Sequence, residues 1–313
     1  MIHLPNLKDI SGEHIADILE RAHKIKRNPR DYTSLLPQQT LGMLFQKTST
    51  RTRVSFEAGM TELGGYAIFI DWNASNFVLT DVAYEIEYMS RNVDCIMARL
   101  LHHEDIQTIV AASQVPVING CCEKYHPCQA LTDLFTIQEY TDKPLDQVTL
   151  VYAGVQNNVS NSLTLICERL GTQLILATPD PDPLGESADA DVQDAIQSAS
   201  NIEHTTDINS AVREADFVYT DTWIDMQYFN DASRTAQNKA TLETMLPYQL
   251  NEALLEGRSC KIMHDMPIHA DFEISPGLVR DPRSVIFEQA ANRKHAQKGL
   301  LWWLFEQADQ LIQ

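Results

Sequence analysis

Short apolar runs alternate with longer helical stretches along nearly the whole chain, and that alternation leaves few folds open. The runs stand at 41–45, 66–70, 94–99 and 115–120, then at 148–154, 174–177, 217–220, 261–264 and 285–287. Between them, apolar residues recur at helical spacing over 54–63, 80–91, 104–113 and 127–140, and again over 158–170, 187–199 and 239–256. A first helix opens at Ser11, with Ile15, Ile18 and Leu19 on one face. Brief apolar strands separated by helices make parallel sheets with helices on both faces. Two such series predict an α/β fold with two doubly wound parallel-sheet domains, and 313 residues are enough for each to bury a core. Thr141-Asp142-Lys143-Pro144 marks the division, giving expected domains at 1–140 and 141–288.

Charge narrows the partners. With 24 Lys and Arg against 43 Asp and Glu, the net charge of −19 argues against nucleic acid or an anionic membrane surface. Six cysteines lack the spacing of a disulfide scaffold, so free thiols in a reducing compartment are expected. The first residues carry no basic segment followed by an apolar run, and no apolar stretch approaches the ~18 residues of a membrane span. A cytoplasmic protein is the expectation.

In doubly wound sheets ligands sit beyond the carboxyl ends of the strands. Polar clusters stand there: Ser49-Thr50-Arg51-Thr52-Arg53, Arg99, His126-Pro127-Cys128-Gln129, Asn157-Asn158, Asp221-Thr222-Trp223 and His264-Asp265-Met266-Pro267, with Asn292-Arg293 before the last helix. The first joins an apolar strand to a helix that Gly64-Gly65 stops. Unpaired N–H groups and the positive end of the helix dipole meet two guanidiniums there, which suits a phosphate dianion. A plain helix cap beside solvated arginines is the alternative. So is a surface Arg99, a loop His126, or an Asp221 that caps a helix.

Taken together, Ser-Thr-Arg-Thr-Arg at 49–53, Ala-Arg at 98–99, His-Pro-Cys-Gln-Ala-Leu-Thr-Asp at 126–133, Asn-Asn-Val-Ser-Asn-Ser at 157–162, Asp-Thr-Trp-Ile at 221–224, His264 with Pro267, and Ala-Asn-Arg at 291–293 resemble the carbamoyltransferase family, ornithine carbamoyltransferases above all. The resemblance covers nearly the whole chain in order. It implies a carbamoyl-phosphate domain, then an amine-substrate domain, an active-site cleft between them, and a C-terminal helix (289–313) packed back on the first. It also implies a homotrimer, with no metal and no organic cofactor. By the same resemblance Ser49, Thr50, Arg51 and Thr52 hold the phosphate, Arg99 and His126 face the carbonyl oxygen, Gln129 accepts from the carbamoyl NH2, and Arg293 adds a cation. Asn158, Asp221, Asp225, Met226 and Asp265 fall to the amine, with Asp221 and Asp265 joining Arg99 and His126 in the catalytic set. The acceptor expected first is L-ornithine, giving citrulline and phosphate.

Three departures stand against the family pattern. Asp225 replaces the serine of Asp-x-Trp-x-Ser-Met-Gly, and Asp265 replaces the cysteine of His-Cys-Leu-Pro. The segment 71–80 is short and lacks the family histidine, leaving Asn73, Ser75 or Asn76 as substitutes. Extra carboxylates beside Asp221 point to an acceptor with more or differently placed positive charge, such as putrescine or another diamino acid; the alternative is that they face solvent or a cation. A family member that binds ligands without turnover is the reading from another class. Cys121-Cys122-x-x-x-His126-x-Cys128 is too crowded for a closed zinc site, and Gly154-Val155-Gln156-Asn157-Asn158 is not a dinucleotide fingerprint.

Overall fold

The computed structural model describes residues 2–224, 228–229 and 231–310. Among these, nine strands form two wholly parallel sheets. The first contains β1 (Thr40–Phe45), β2 (Tyr66–Asp71), β3 (Cys95–Arg99) and β4 (Val117–Cys121) in the order β2-β1-β3-β4. The second contains β5 (Thr149–Ala153), β6 (Gln173–Ala177), β7 (Ile202–Thr205), β8 (Phe217–Thr220) and β9 (Lys261–His264) in the order β7-β6-β5-β8-β9. Each order reverses once, at β1/β3 and at β5/β8. Connections diverge to opposite faces at such points and leave a crevice beyond the strand ends.

The chain divides into two compact units, Met1–Phe135 with Ala291–Gln313, and Thr136–Ala290. In the first, β3 and β4 are buried throughout because helices cover both faces. At the edge, β2 leaves Tyr66, Ile68 and Phe69 exposed. In the second unit, Val151, Ala153, Val218 and Ile262 of the central strands pack with Leu250, Ile274 and Leu278 in one core.

Two expected elements differ. The apolar run at 285–287 is not a strand: Ser284 makes an isolated bridge to Ile262, and the helix Ile286–Gln310 begins directly afterwards. Three apolar residues read alike as a buried strand and as a buried first turn of helix. The helix expected over 239–256 runs instead from Thr235 to Met245, because Pro247 cannot continue it and a 3-10 turn, Leu246–Tyr248, follows. Strand β7 went unread because only Ile202 of its four residues is buried.

The C-terminal helix lies on its own unit through close contacts. Lys294 and Lys298 both bind Glu62, at 2.5 and 2.7 Å, although Lys298 is almost fully buried. Gly299 sets how near the helix comes: a Cβ there would stand 2.5 Å from the Ile18 carbonyl oxygen and 2.8 Å from the Ala22 nitrogen. In an open helix Gly→Ala stabilises by ~0.5–1 kcal/mol. Here the sign should reverse: Gly299→Ala is expected to cost about 1–3 kcal/mol by overpacking, read as a lower thermal midpoint.

Candidate active site

The anion site grows from the exits of β1 and β3. Beyond β1, Ser49 caps the helix Thr50–Glu62, its Oγ accepting from Thr52 N–H at 3.2 Å. The plain cap reading is thus correct for Ser49, and it aligns the first turn that carries Thr50 (exposed), Arg51 (half-buried) and Thr52 (buried). Arg99 ends β3 and is buried. Pairing with β4 slips there, since Ala98 faces Asn119 while Arg99 faces Cys121. The skipped residue is Gly120, where a Cβ would lie 2.4 Å from Met97 Sδ. Such a bulge re-aims the side chain at a strand end.

Thr52 Oγ1 joins the parts. It accepts from Arg293 Nη2 at 2.9 Å and from Arg99 Nη1 at 3.4 Å, and the same Arg293 Nη2 lies 3.3 Å from His126 Nε2. A guanidinium only donates, so Nε2 is the acceptor and His126 carries its proton on Nδ1. Burial drives the His126 pKa well below its ordinary 6.5, and the charges of Arg293, Arg99, Lys47 and Arg51 push the same way. Both causes favour the neutral imidazole, with Arg293 in direct contact and the other three cations acting through their charge. One turn along the helix Pro127–Tyr140, Gln129 is buried, its Nε2 donating to Asp133 Oδ1 at 2.8 Å. Gln129 Oε1 is buried without a hydrogen-bond partner among the described residues, an acceptor aimed at something that donates.

In the second unit, Asn157 caps the helix Asn158–Leu170. Its Oδ1 accepts from Val159 and Ser160 N–H and from the Tyr152 hydroxyl, while its Nδ2 donates to Asp221 Oδ2 at 2.8 Å. Asn158 is half-buried at the first helical position. Asp221, just past β8, is buried. Burial raises its pKa well above the ordinary 3.8, and the nearby charges of Asp265 and Glu273 add to this, against bonds from Thr222 N–H and Asn157. Asp265 is half-buried, just past β9. The loop after it is held by His264, whose Nδ1 accepts from Met266 N–H at 2.7 Å and whose Nε2 donates to the buried Glu273 at 3.0 Å. Asp225 and Met226 lie outside the described residues.

The crowded cysteines behave as core residues. Burial lifts the Cys122 and Cys128 thiols to about 12, and Cys128 Sγ sits 3.6 Å from the Asn119 carbonyl oxygen. Among the described residues, no group of three or more His, Cys, Asp or Glu is placed to hold a metal ion. Asn73, in the short segment after β2, turns its Nδ2 to the Gln46 carbonyl oxygen within its own unit. Lys47 and Asn157 are the participants that sequence reasoning passed over. Lys47 sits inside the very stretch that drew notice, and Asn157 adjoins a residue already chosen.

Comparison with known proteins agrees with this layout. The family profile described as aspartate/ornithine carbamoyltransferase, carbamoyl-P binding domain, matches residues 3–139, and the companion Asp/Orn binding domain matches 146–304. The ornithine carbamoyltransferase of Bacillus subtilis is 38% identical over 302 residues, spanning 95% of this chain and 92% of that protein. The enzyme of that name from Haloquadratum walsbyi is 39% identical over 300 residues, 95% of each chain. Among solved structures, the ornithine carbamoyltransferase of Pyrococcus furiosus superposes with a TM-score of 0.87 at 36% identity over 96% of both chains. On both of its domains, and across nearly its full length, this chain belongs to the aspartate/ornithine carbamoyltransferase family.

Proposed function

We propose that the protein transfers the carbamoyl group of carbamoyl phosphate to the side-chain amine of L-ornithine, giving citrulline and phosphate. One observation carries the donor half: Arg99 and Arg293 converge on Thr52 Oγ1 beside the buried His126, with an unsatisfied buried acceptor at Gln129. Carbamoyl phosphate matches each part. Its dianion takes the first turn after Ser49 together with Thr50, Arg51 and Thr52. The carbonyl oxygen turns to Arg99 and His126, with Arg293 adding charge beside them. The NH2 donates to Gln129 Oε1. As the amine attacks, charge grows on the carbonyl oxygen, and each well-placed donor there is worth about 2.7–4 kcal/mol. Because His126 is neutral, the fixed guanidiniums supply that stabilisation as charge, and the imidazole adds a hydrogen bond through its Nδ1–H.

The acceptor half falls to Asn158, Asp221 and Asp265, together with Asp225 and Met226 of the same sequence motif. Relatives named for ornithine, matched over nearly the whole chain, support that acceptor. We further propose a homotrimer, for which the exposed Tyr66, Ile68 and Phe69 of edge strand β2 offer an apolar contact face. No helix among the described residues is long and apolar enough to cross a membrane. Six buried cysteines, none of them in a disulfide, favour a cytoplasmic setting.

Incubation with carbamoyl phosphate and ornithine should yield citrulline and phosphate in equal amounts; no turnover with ornithine, putrescine or any other diamino acid would reject the assignment. Arg51→Ala should weaken carbamoyl-phosphate binding by about 1.5–3 kcal/mol, the worth of a charge-assisted bond, without lowering the thermal midpoint. For His126, nitrogen chemical shifts should show a neutral ring as pH is lowered through 6.5. The unfolded chain takes up that proton and the folded one does not, so this group's share of stability declines below 6.5 until the depressed folded value is reached. Light scattering should give three times the chain mass, and Ile68→Glu should dissociate the assembly.

A further inference from the structure

Sheet register brings Asp221 and Asp265 together. Strands β8 and β9 run parallel with Thr220 opposite His264. The next residue on each is an aspartate, just past the ends of neighbouring strands that lie ~4.8 Å apart. Asp265 is the largest source of like charge on Asp221. A second observation points to a ligand at these strand exits. Trp223 Nε1 and Thr220 Oγ1 are both buried and have no hydrogen-bond partner among the described residues. They lie 3.3 and 3.6 Å from where a Cβ on Gly154 would stand, and Gly154 is the residue that leaves β5 beside Asp221. Neighbouring strand exits thus carry two carboxylates past β8 and β9 and, beside Gly154 at the end of β5, an indole N–H and a hydroxyl.

We propose that Asp221 and Asp265 act as one paired base, which receives the acceptor amine as its ammonium and removes one proton from it within the site. The inference rests on the carbamoyl-transfer reading above and adds how the nucleophile is made. A primary ammonium has a pKa of ~10, so the free amine is scarce in neutral solution. A lone carboxylate of ordinary basicity is too weak to generate it. Two carboxylates side by side bind the first proton more strongly than either alone, and the pair titrates as a unit. The balance closes. R–NH3+ gives one proton to the doubly ionised pair, leaving R–NH2 and a pair of charge −1. The amine nitrogen bonds to the carbamoyl carbon as the C–O bond to phosphate breaks. The second N–H proton leaves on the phosphate as HPO4 2−, and the pair returns its proton to water.

The other titratable groups facing the pair come from β5 and from the loop after β9. Tyr152 stays a neutral phenol, its hydroxyl donating toward the Val155 carbonyl and Asn157 Oδ1, and burial together with both aspartates raises its pKa well above 10. Glu273 is tied to His264 Nε2 and to the His269 N–H. His269 Nδ1 lies 3.0 Å from Thr222 Oγ1. Asn157 Nδ2 donates to Asp221 Oδ2, and Thr222 N–H also bonds that carboxylate.

The test is kcat/KM for the amine against pH, with carbamoyl phosphate saturating, for the unaltered protein, Asp265→Asn and Asp265→Cys. The unaltered profile should be flat above the pair's apparent pKa and fall below it. Asp265→Asn should be about 10²-fold slower at about pH 7, the lower range for lost general-base help. Its rate should then climb about tenfold per pH unit toward the amine's own pKa, as the neutral amine becomes available from solution, so the curves converge. Carbamoyl-phosphate affinity should be unchanged, which also shows that the variant is folded. Parallel profiles would overturn the proposal. Infrared titration of the ligand-free protein decides it independently. A protonated carboxyl band should persist above the ordinary carboxylate range, with a lower midpoint in either variant; its absence refutes the pair. Failure of the unaltered protein to carbamoylate any amine would instead count against the transfer reading, and the infrared result would still stand or fall alone.

Discussion

Like charges are forced together twice in this chain, with opposite sign in the two places, and much of the structure serves to hold them there. In the first unit Lys47, Arg51, Arg99 and Arg293 all act on one imidazole. Two unit charges 4 Å apart repel by about 4 kcal/mol at an effective dielectric of 20, so such a cluster needs fixed geometry to persist. Thr52 Oγ1 provides part of it as a common acceptor for two guanidiniums. Glu62, at the far end of the same helix, provides more by binding Lys294 and Lys298 on the helix that carries Arg293. In the second unit Asn157 donates to Asp221 while the Asp265 charge opposes it.

Neither cluster makes sense as a stability device. Exposed ion pairs are worth at most about 1 kcal/mol, and buried charges without counter-charges cost more than that. An ion of opposite sign would offset the repulsion in each, as in the proposed binding of a dianion to one and an ammonium to the other. His126 shows how finely the first cluster is set. A protonated ring would add a further positive charge among cations; burial and the arginines keep it neutral, so it retains one donor and one acceptor. With an overall charge of −19, a positive potential arises only where cations are concentrated within a few residues against the average field.

Much of this was legible in the sequence. Apolar runs at 41–45, 94–99, 148–154 and 217–220 gave away the strands flanking both switch points, since a strand buried on both faces must be apolar throughout. The polar residues just beyond those runs were then at the crevices by topology. What failed to show had physical causes. Strand β7 is an edge with one buried residue, and 285–287 opens a buried helix. Lys47 was hidden because a lysine in a loop looks solvated, and only its closeness to the buried His126 gives it a part. Asn157 was hidden because either residue of the Asn-Asn pair could cap the helix, and sequence does not order them.

Asp265 marks the limit of reading by pattern. Its departure from the family motif is visible in one line of sequence, yet the consequence depends on strand order. With β9 next to β8, Thr220 opposite His264 makes the following aspartates neighbours, although many residues separate them along the chain. Had β9 lain on the other side of β5, the same substitution would have put a lone carboxylate at a strand exit. Register turns one changed residue into a pair, and pairing changes basicity in a way no single carboxylate can. Motifs identify which atoms a family uses, whereas the sheet decides which of them act together.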